Sequence, residues 1–454
     1  MLTIDRLREL HDLGEIDTVL VVFPDMQGRF MGKRVLSSFF LSEVHNNGGA
    51  IEACDYLLAV DVDMKVLDGF RFTSWETGYG DFVCRPDLST LHLVPWLEKT
   101  ALVIGDLVDH DGAPIEVSPR AILQRQLGLA ADQGYTVKAG TELEFFLFQE
   151  SMEQAWKQDF KGLTPSSPYV IDYHILQTSK DEWLIRKIRN DMAAAGIPVE
   201  NSKGEWGLGQ HELNVRYGPV LEMADRHAIY KQCLKEVADQ LGISVTFMAK
   251  VAAGSAGSSS HIHLSLWQGE QNAFSGEEQA GPVQGSNVFR WFLGGWLRHV
   301  PELMVFYAPT INSYKRYQVG SWAPTRIAWS RDNRTAGFRV VGSGRSLRIE
   351  SRIPGADCNP YLVYAAALAS GLDGIEQQIE PPPVFVGDVY QAQQLPRVPA
   401  TLREATELFA GSAWTKSVLG EEVVEHYTHY FRTEQAAFDN AVTDWERKRY
   451  FERI

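Results

Sequence analysis

Four short segments of the chain place acidic, imidazole or guanidinium side chains at every second residue. They are Thr141-Glu142-Leu143-Glu144-Phe145, Gln210-His211-Glu212-Leu213-Asn214, His261-Ile262-His263-Leu264-Ser265 and Arg348-Ile349-Glu350-Ser351-Arg352. In an extended strand, residues two apart project from one face, so each segment offers one polar and one mostly apolar face. Taken singly, each reads as an ordinary strand turning its polar side to water. Taken together, the polar sides carry Glu/Glu, His/His and Arg/Glu/Arg, a donor set for hard or borderline divalent cations and anionic phosphates. The pattern predicts a polar, metal-lined trough built on a sheet.

With 454 residues the chain exceeds what one hydrophobic core normally sustains, so two domains or one elaborated domain are expected. The formal charge of -15 disfavours nucleic acid as a partner, because phosphate backbones need clustered Lys and Arg. Cys54, Cys84, Cys233 and Cys358 are far apart and lack CxxC spacing, which reads as free thiols. The charged N-terminus and the short apolar run Val19 to Phe23 suggest neither a signal core nor a membrane span, so a cytoplasmic protein without membrane association is expected.

Residues 1–110 carry short strand-like runs at Thr18 to Phe23, Leu57 to Val62, Leu91 to Val94 and Ala101 to Asp106, which suggest a small mixed α/β domain. A boundary near Asp109 to Pro114 precedes Ser118-Pro119, a helix start, with the helix running to about Gly134. Further helices are predicted at Lys180 to Gly196, Leu221 to Gly242, Ser286 to Val300, Asn359 to Gly374 and after Thr401, interleaved with the polar-faced strands. The layout is α+β, with Glu380 to Pro396 an exposed loop. The stretch Gly254 to Ser260 lacks the GxxxxGK[ST] of a P-loop and reads either as a flexible connector or as a loop shaping a site at His261.

These residues, taken in order, resemble the glutamine synthetase family over nearly the whole chain. The motifs are Gly140 to Phe146, Glu205 with Gly209-Gln210-His211-Glu212, Gly257 to Ser265, Asn312 to Arg316, and Asn333-Arg334 through Arg348 to Arg352; Asn359 to Leu362 and Gly371 to Ile375 fit as well. The resemblance implies a β-grasp-like N-terminal domain over 1–110 and a catalytic domain over 111–454 whose antiparallel strands form half a barrel. It also implies a homo-oligomer, a dodecamer of two hexameric rings, with each active site at a subunit junction.

Position by position, the resemblance implies that Glu144, Glu205 and Glu212 bind one divalent ion and that Glu142, His261 and Glu350 bind another. Carboxylates with one imidazole suit Mg²⁺ or Mn²⁺. Tyr217, His263, Ser265, Arg345 and Arg348 would lie near ATP, while Arg316, Arg352 and the backbone of Gly257 would hold glutamate. Arg334 and Arg339 would face the phosphoryl group in transfer. The implied reaction phosphorylates the γ-carboxylate of L-glutamate with ATP, and an amine then displaces phosphate.

The family's flap reads Arg-x-x-x-Gly-x-Glu-Ala-Pro, whereas here Arg316 to Pro324 aligns without a gap and puts Trp322 at the place of the glutamate that closes over ammonium. The family's Asp-Gly-Ser-Ser stretch is also missing; Asp55 is the nearest candidate for its ammonium-attracting aspartate, and Ala256 stands where Asn is common. An indole offers a flat apolar wall where a carboxylate would favour a small cation. The acceptor is therefore expected to be an organic amine, with Tyr317 and Tyr56 as candidate neighbours of Trp322, in the manner of the family branch that makes γ-glutamyl derivatives during amine catabolism. Two alternatives stand beside this reading: an ammonia-using glutamine synthetase, and a catalytically silent regulatory or structural relative. Tyr390 lacks the Asp-Leu-Pro-Pro context of the family's adenylylation loop, so that control is not expected.

Overall fold

The computed structural model of the protein describes residues 2–46 and 49–454. The strands β1 (Thr18–Pro24), β2 (Phe30–Leu36), β3 (Ile51–Cys54), β4 (Asp81–Pro86), β5 (His92–Leu93) and β6 (Thr100–Val108) form a six-stranded sheet in the order β2-β1-β6-β4-β3, with β5 on β6. β1 and β6 pair in parallel at its centre. Both are buried on two sides, which explains their continuous apolar runs. Val19, Val21, Phe23, Ala101 and Val103 enter one core, and Leu20, Val22, Leu102 and Ile104 enter the core shared with the rest of the chain.

One expectation for this region fails, and three strands went unread. Leu57 to Val62 is not a strand: Asp55–Leu58 is a 3-10 turn, and Leu58, Ala59 and Val60 are all buried, wedged where the two cores meet. β2, β3 and β4 lack a continuous apolar run because charged residues interrupt them; β2, an edge strand, exposes Gly32, Lys33 and Arg34.

The second sheet has nine strands. It uses β7 (Thr136–Phe148), β8 (Val199–Gly204), β9 (Gln210–Pro219), β10 (Ser244–Thr246), β11 (Ser260–Gln268) and β12 (Gln271–Asn272). After a hairpin of β13 (Glu278–Ala280) and β14 (Val283–Gly285), it is completed by β15 (Trp329–Arg331), β16 (Phe338–Val341) and β17 (Arg348–Ser351). The order is β15-β16-β17-β11-β7-β9-β8, with β10 on β7 and β12 on β11. All pairs are antiparallel except β15 with β16, which run parallel. The four polar-faced segments thus fall on β17, β11, β7 and β9, consecutive neighbours in this sheet.

Their apolar faces, including Leu143, Phe145, Leu213, Ile262, Leu264 and Ile349, are buried in the main core with the helices Val220–Gln240, Asn287–Tyr307 and Pro360–Glu376. Two of these helices touch through glycines. A Cβ on Gly374 would overlap the Trp291 carbonyl, and one on Gly295 the Ser370 carbonyl. The helix expected to stop at Val300 continues through Pro301 to Tyr307, because Leu303 to Tyr307 are all buried and tertiary packing outweighs the lost backbone bond. No helix among the described residues is long and apolar enough to cross a membrane.

Arg120, 1% exposed, ties the six-stranded sheet to the helix Val220–Gln240. Its guanidinium donates to Asp106 of β6, to Asp87 (2.8 Å) and to both oxygens of Asp225 (3.2 Å each) on the helix Val220–Gln240. Tyr361 Oη donates to Asp225 at 2.7 Å. Burial pushes the Asp225 carboxyl up, and Arg120 supplies the compensation. Removing one member of such a buried cluster strands the others. Arg120→Met is expected to lower the unfolding free energy by about 3–5 kcal/mol in urea titration at fixed protein concentration. Arg120→Lys should recover little of that loss, since an ammonium cannot reproduce the planar fork. Arg6→Met, at an exposed pair with Glu9, should stay within about 0.5 kcal/mol.

Candidate active site

Register brings the charged residues side by side. Glu144 of β7 sits opposite Glu212 of β9, and Glu142 opposite His261 of β11. His263 sits opposite Glu350 of β17, which in turn faces Arg339 of β16. Ligand atoms within 4.8 Å of one another form three triads: Glu144/Glu205/Glu212, Glu142/Glu212/His261 and Glu142/His263/Glu350. The first coincides with one expected ion site. The second expected set, Glu142, His261 and Glu350, is spread over the other two triads, and His263 joins it.

Electrostatics differ along the row. Burial opposes ionisation of Glu142 and Glu350, yet the basic side chains around them overcome it. Electrostatic attraction to the His263 ring and hydrogen bonds from His261 and His263 (3.1 Å each) hold Glu142 well below the carboxylate range. His263, Arg352 and His261 hold Glu350 down at about 2. Glu350 accepts from Arg352 (2.6 Å) and Arg339 (2.8 Å). Burial and the Arg352 guanidinium pull His261 down to about 4, more than the Glu142 hydrogen bond lifts it, so its imidazole is neutral at pH 7 and free to act as a ligand.

The other end has too much negative charge. Burial and the charge of Glu205 push Glu144 up to about 7, and burial with Glu142 and Glu205 pushes Glu212 well above its ordinary value. Glu144 is pinned by Gln210 Nε2 (3.0 Å), the Ser259 amide (2.9 Å) and Ser259 Oγ (2.6 Å). Lys203 pairs with Glu205 as the nearby cation. Three crowded carboxylates with this deficit are chemically suited to an oxygen-seeking divalent cation. Sequence reasoning missed Gln210, Ser259 and Lys203 as site members. The signal for Gln210 and Lys203 was their period-two spacing from Glu212 and Glu205.

Arg316 is 2% exposed, and its Nη2 donates to backbone carbonyls of Arg352 (3.3 Å), Ile353 and Pro354 (2.9 Å). Nε of Arg316 and Nε of Arg352 are buried without a partner, so two guanidiniums present unused donors beside the trough. Such donors mark a place for an anion. Gly257 makes this possible, because a Cβ there would collide with the Arg316 stem and crowd the Ala249 carbonyl at 2.8 Å.

A cavity of about 580 Å³ contains Glu142, Glu144, Glu205, Glu212, His261, Arg316, Arg352, Gly257, Arg334, Arg339 and Trp322 among its walls. Tyr217, His263, Ser265, Arg345 and Arg348 line a neighbouring cavity of about 570 Å³, and Glu142 belongs to both. Trp267 Nε1 donates to Ser265 Oγ at 2.9 Å, while Lys138 Nζ lies 3.7 Å over the Trp267 ring.

Trp322 is 49% exposed and has φ +63°, a left-handed conformation that bulky side chains rarely adopt. Ser321 Oγ donates to the Arg316 and Gln318 carbonyls, and Tyr390 Oη to the Ala323 carbonyl (3.0 Å), bracing the turn on both sides. Its aromatic neighbour is Trp206, edge-on at 6.2 Å. The expected Tyr317 and Tyr56 are elsewhere: Tyr317 Oη donates to the Ile353 carbonyl, and Tyr56 packs on Tyr79. Asp55 lies outside the trough of its own chain, bonded to Thr73 beside Tyr79 in the N-terminal sheet region.

Residues 116–450 match the glutamine synthetase catalytic domain. A gamma-glutamylethanolamide synthetase of Streptomyces coelicolor is 51% identical over 452 residues, 99% of this chain and 96% of that protein. A glutamate–isopropylamine ligase of a Pseudomonas species is 37% identical over 453 residues, 99% of this chain and 98% of that one. The solved ADP complex of GmaS superposes with a TM-score of 0.84 at 29% identity, covering 98% of this chain and 99% of that one. With the trough, its row of carboxylates and these full-length likenesses agreeing, the chain belongs to the glutamine synthetase family.

Proposed function

We propose that the protein is an ATP-dependent ligase joining the γ-carboxylate of L-glutamate to a small primary amine, with release of ADP and phosphate. The observation that carries the choice of acceptor is the Trp322–Trp206 pair in the wall of a trough otherwise furnished for phosphoryl transfer. The names of the two relatives support it, since ethanolamine and isopropylamine are both primary monoamines. We assign the nucleotide to the cavity of Tyr217, His263, Ser265, Arg345 and Arg348. Glutamate belongs at the unused donors of Arg316 and Arg352.

A γ-carboxylate oxygen attacks the terminal phosphorus and ADP leaves; the amine nitrogen then attacks the acyl carbon, the C–O bond breaks, phosphate departs and the nitrogen loses a proton. Glu144, Glu205 and Glu212 would hold one divalent ion, and Glu142, His261 and Glu350, with His263 beside them, another. Mg²⁺ or Mn²⁺ there supplies charge neutralisation for the phosphates. Arg339, fixed by Glu350, and Arg334, exposed in the trough wall, disperse charge on the transferring group.

Asp55 serves in this scheme from a second copy, within a dodecamer of two hexameric rings. Its position outside its own trough supports that reading, as does the 78% exposure of Trp75, which packs on Tyr79 near it. The six-stranded sheet ends at Val108 and the second begins at Thr136, which supports units of 1–110 and 111–454. Four free cysteines suit a reducing, ATP-containing cytoplasm.

The deciding experiment measures ADP release and product mass with glutamate, ATP and Mg²⁺ or Mn²⁺, comparing ethanolamine, isopropylamine and ammonium. γ-Glutamyl amide formation from an organic amine, abolished by EDTA and restored by added metal, is expected. Ammonium as best substrate would make the protein a glutamine synthetase, and no turnover with any acceptor would favour a silent relative. Arg334→Ala should lower kcat by about 10²- to 10³-fold with little change in the glutamate KM, the pattern of a lost transition-state contact. Trp322→Glu should raise kcat/KM for ammonium relative to isopropylamine at least about tenfold, because a carboxylate roughly 4 Å from a cation in a partly dry site is worth a few kcal/mol. An unchanged ratio would remove Trp322 from the account of acceptor choice.

A further inference from the structure

The strand β7 works as a ruler across three cavities. Its even-numbered residues share one face. Lys138 and Gly140 line the nucleotide-side cavity, Glu142 and Glu144 line the trough, and Phe146 and Phe148 line a third cavity of about 930 Å³. At roughly 3.3 Å of rise per residue, Phe148 stands about 13 Å beyond Glu144. The third cavity shares Trp206, Ala256, Ser321 and Trp322 with the trough, so the two are continuous around the indole pair. Among the described residues, its walls, which include Leu163 and Met248, carry no ionisable side chain.

We propose that this chamber binds the apolar substituent of the acceptor amine, so that the protein takes primary monoamines with extended alkyl or aryl groups. The inference rests on the ligase reading of the trough. An acceptor must present its nitrogen to the acyl carbon while its substituent leaves the charged row. The nucleotide side is walled by Lys138, Arg345 and Arg348, and the Arg316–Arg352 side is taken by glutamate; the apolar exit runs past Trp322. A hydrocarbon gains by leaving water there. A second ammonium on the same chain would lose its hydration with no carboxylate to meet it, so diamines are selected against.

The test measures kcat/KM for ethylamine through hexylamine and for 1,6-diaminohexane, at saturating ATP and glutamate. The expected rise is about threefold per methylene. Hexylamine should exceed the diamine by at least about tenfold. Met248→Glu places a carboxylate in the chamber and should shift the hexylamine-to-diamine ratio toward the diamine by about tenfold; Leu163→Glu serves if that variant does not fold. A flat dependence on chain length, or equal use of hexylamine and the diamine, overturns the proposal while leaving the ligase reading intact whenever ethylamine is turned over. Absence of product with every amine sinks the ligase reading and this inference with it. A change in oligomer size in both variants without any shift in the ratio would give the chamber to a second copy of the chain instead.

Discussion

The register of the nine-stranded sheet is the constraint on which the site depends. Glu144 against Glu212, Glu142 against His261 and His263 against Glu350 are cross-strand neighbours only in this alignment. A slip of one residue would turn the whole carboxylate row into the helix layer and expose Leu143, Phe145, Ile262 and Ile349. Burial of those apolar residues therefore holds mutually repelling carboxylates together. Tyr364 Oη, donating to the Gly140 carbonyl at 3.1 Å, and Tyr230 Oη, reaching the Leu143 carbonyl at 3.5 Å, tie the same strand to the helices behind it.

Along that row the charge changes character. Around Glu350 and Glu142, guanidiniums and hydrogen bonds from the imidazoles keep the carboxyls low and tightly bonded. Around Glu144 and Glu212 the negative groups outnumber Lys203, and burial with mutual repulsion pushes both carboxyls up. Beside the row lie the buried guanidiniums of Arg316 and Arg352, with unused Nε donors. A trough with a deficit of positive charge on one side and unused donors on the other is prepared for cations and anionic substrates together.

The acceptor end follows a different rule. Where the catalytic row depends on charge, the Trp322 turn depends on shape: a left-handed aromatic residue, braced by Ser321 and Tyr390, meets Trp206 edge-on. Holding a non-glycine residue at φ +63° costs roughly 1 kcal/mol or more, so the bracing contacts over-determine the position of the indole. That placement sets the boundary between the charged trough and the apolar chamber.

Much of this was legible in the chain itself. Period-two alternation at Glu142/Glu144, His261/His263 and Arg348/Glu350/Arg352 placed those residues on strands with a common polar face, because strand geometry is local. The flap alignment singled out Trp322, and the predicted helices lie within about a turn of the observed ones except where Pro301 hid the continuation to Tyr307, while the helices Ile4–Asp12, Met152–Lys157 and Ile175–Thr178 went unread. The fold alone decided that Trp206 rather than Tyr317 or Tyr56 meets Trp322, that Gln210 and Ser259 clamp Glu144, and that Asp55 stands apart from its own trough. It also turned Leu58 to Val60 from an apparent strand into a wedge between cores. Alternation and propensity act between residues a few positions apart, whereas these contacts join residues separated by tens to hundreds of positions, and only the packed sheet and helices bring them together.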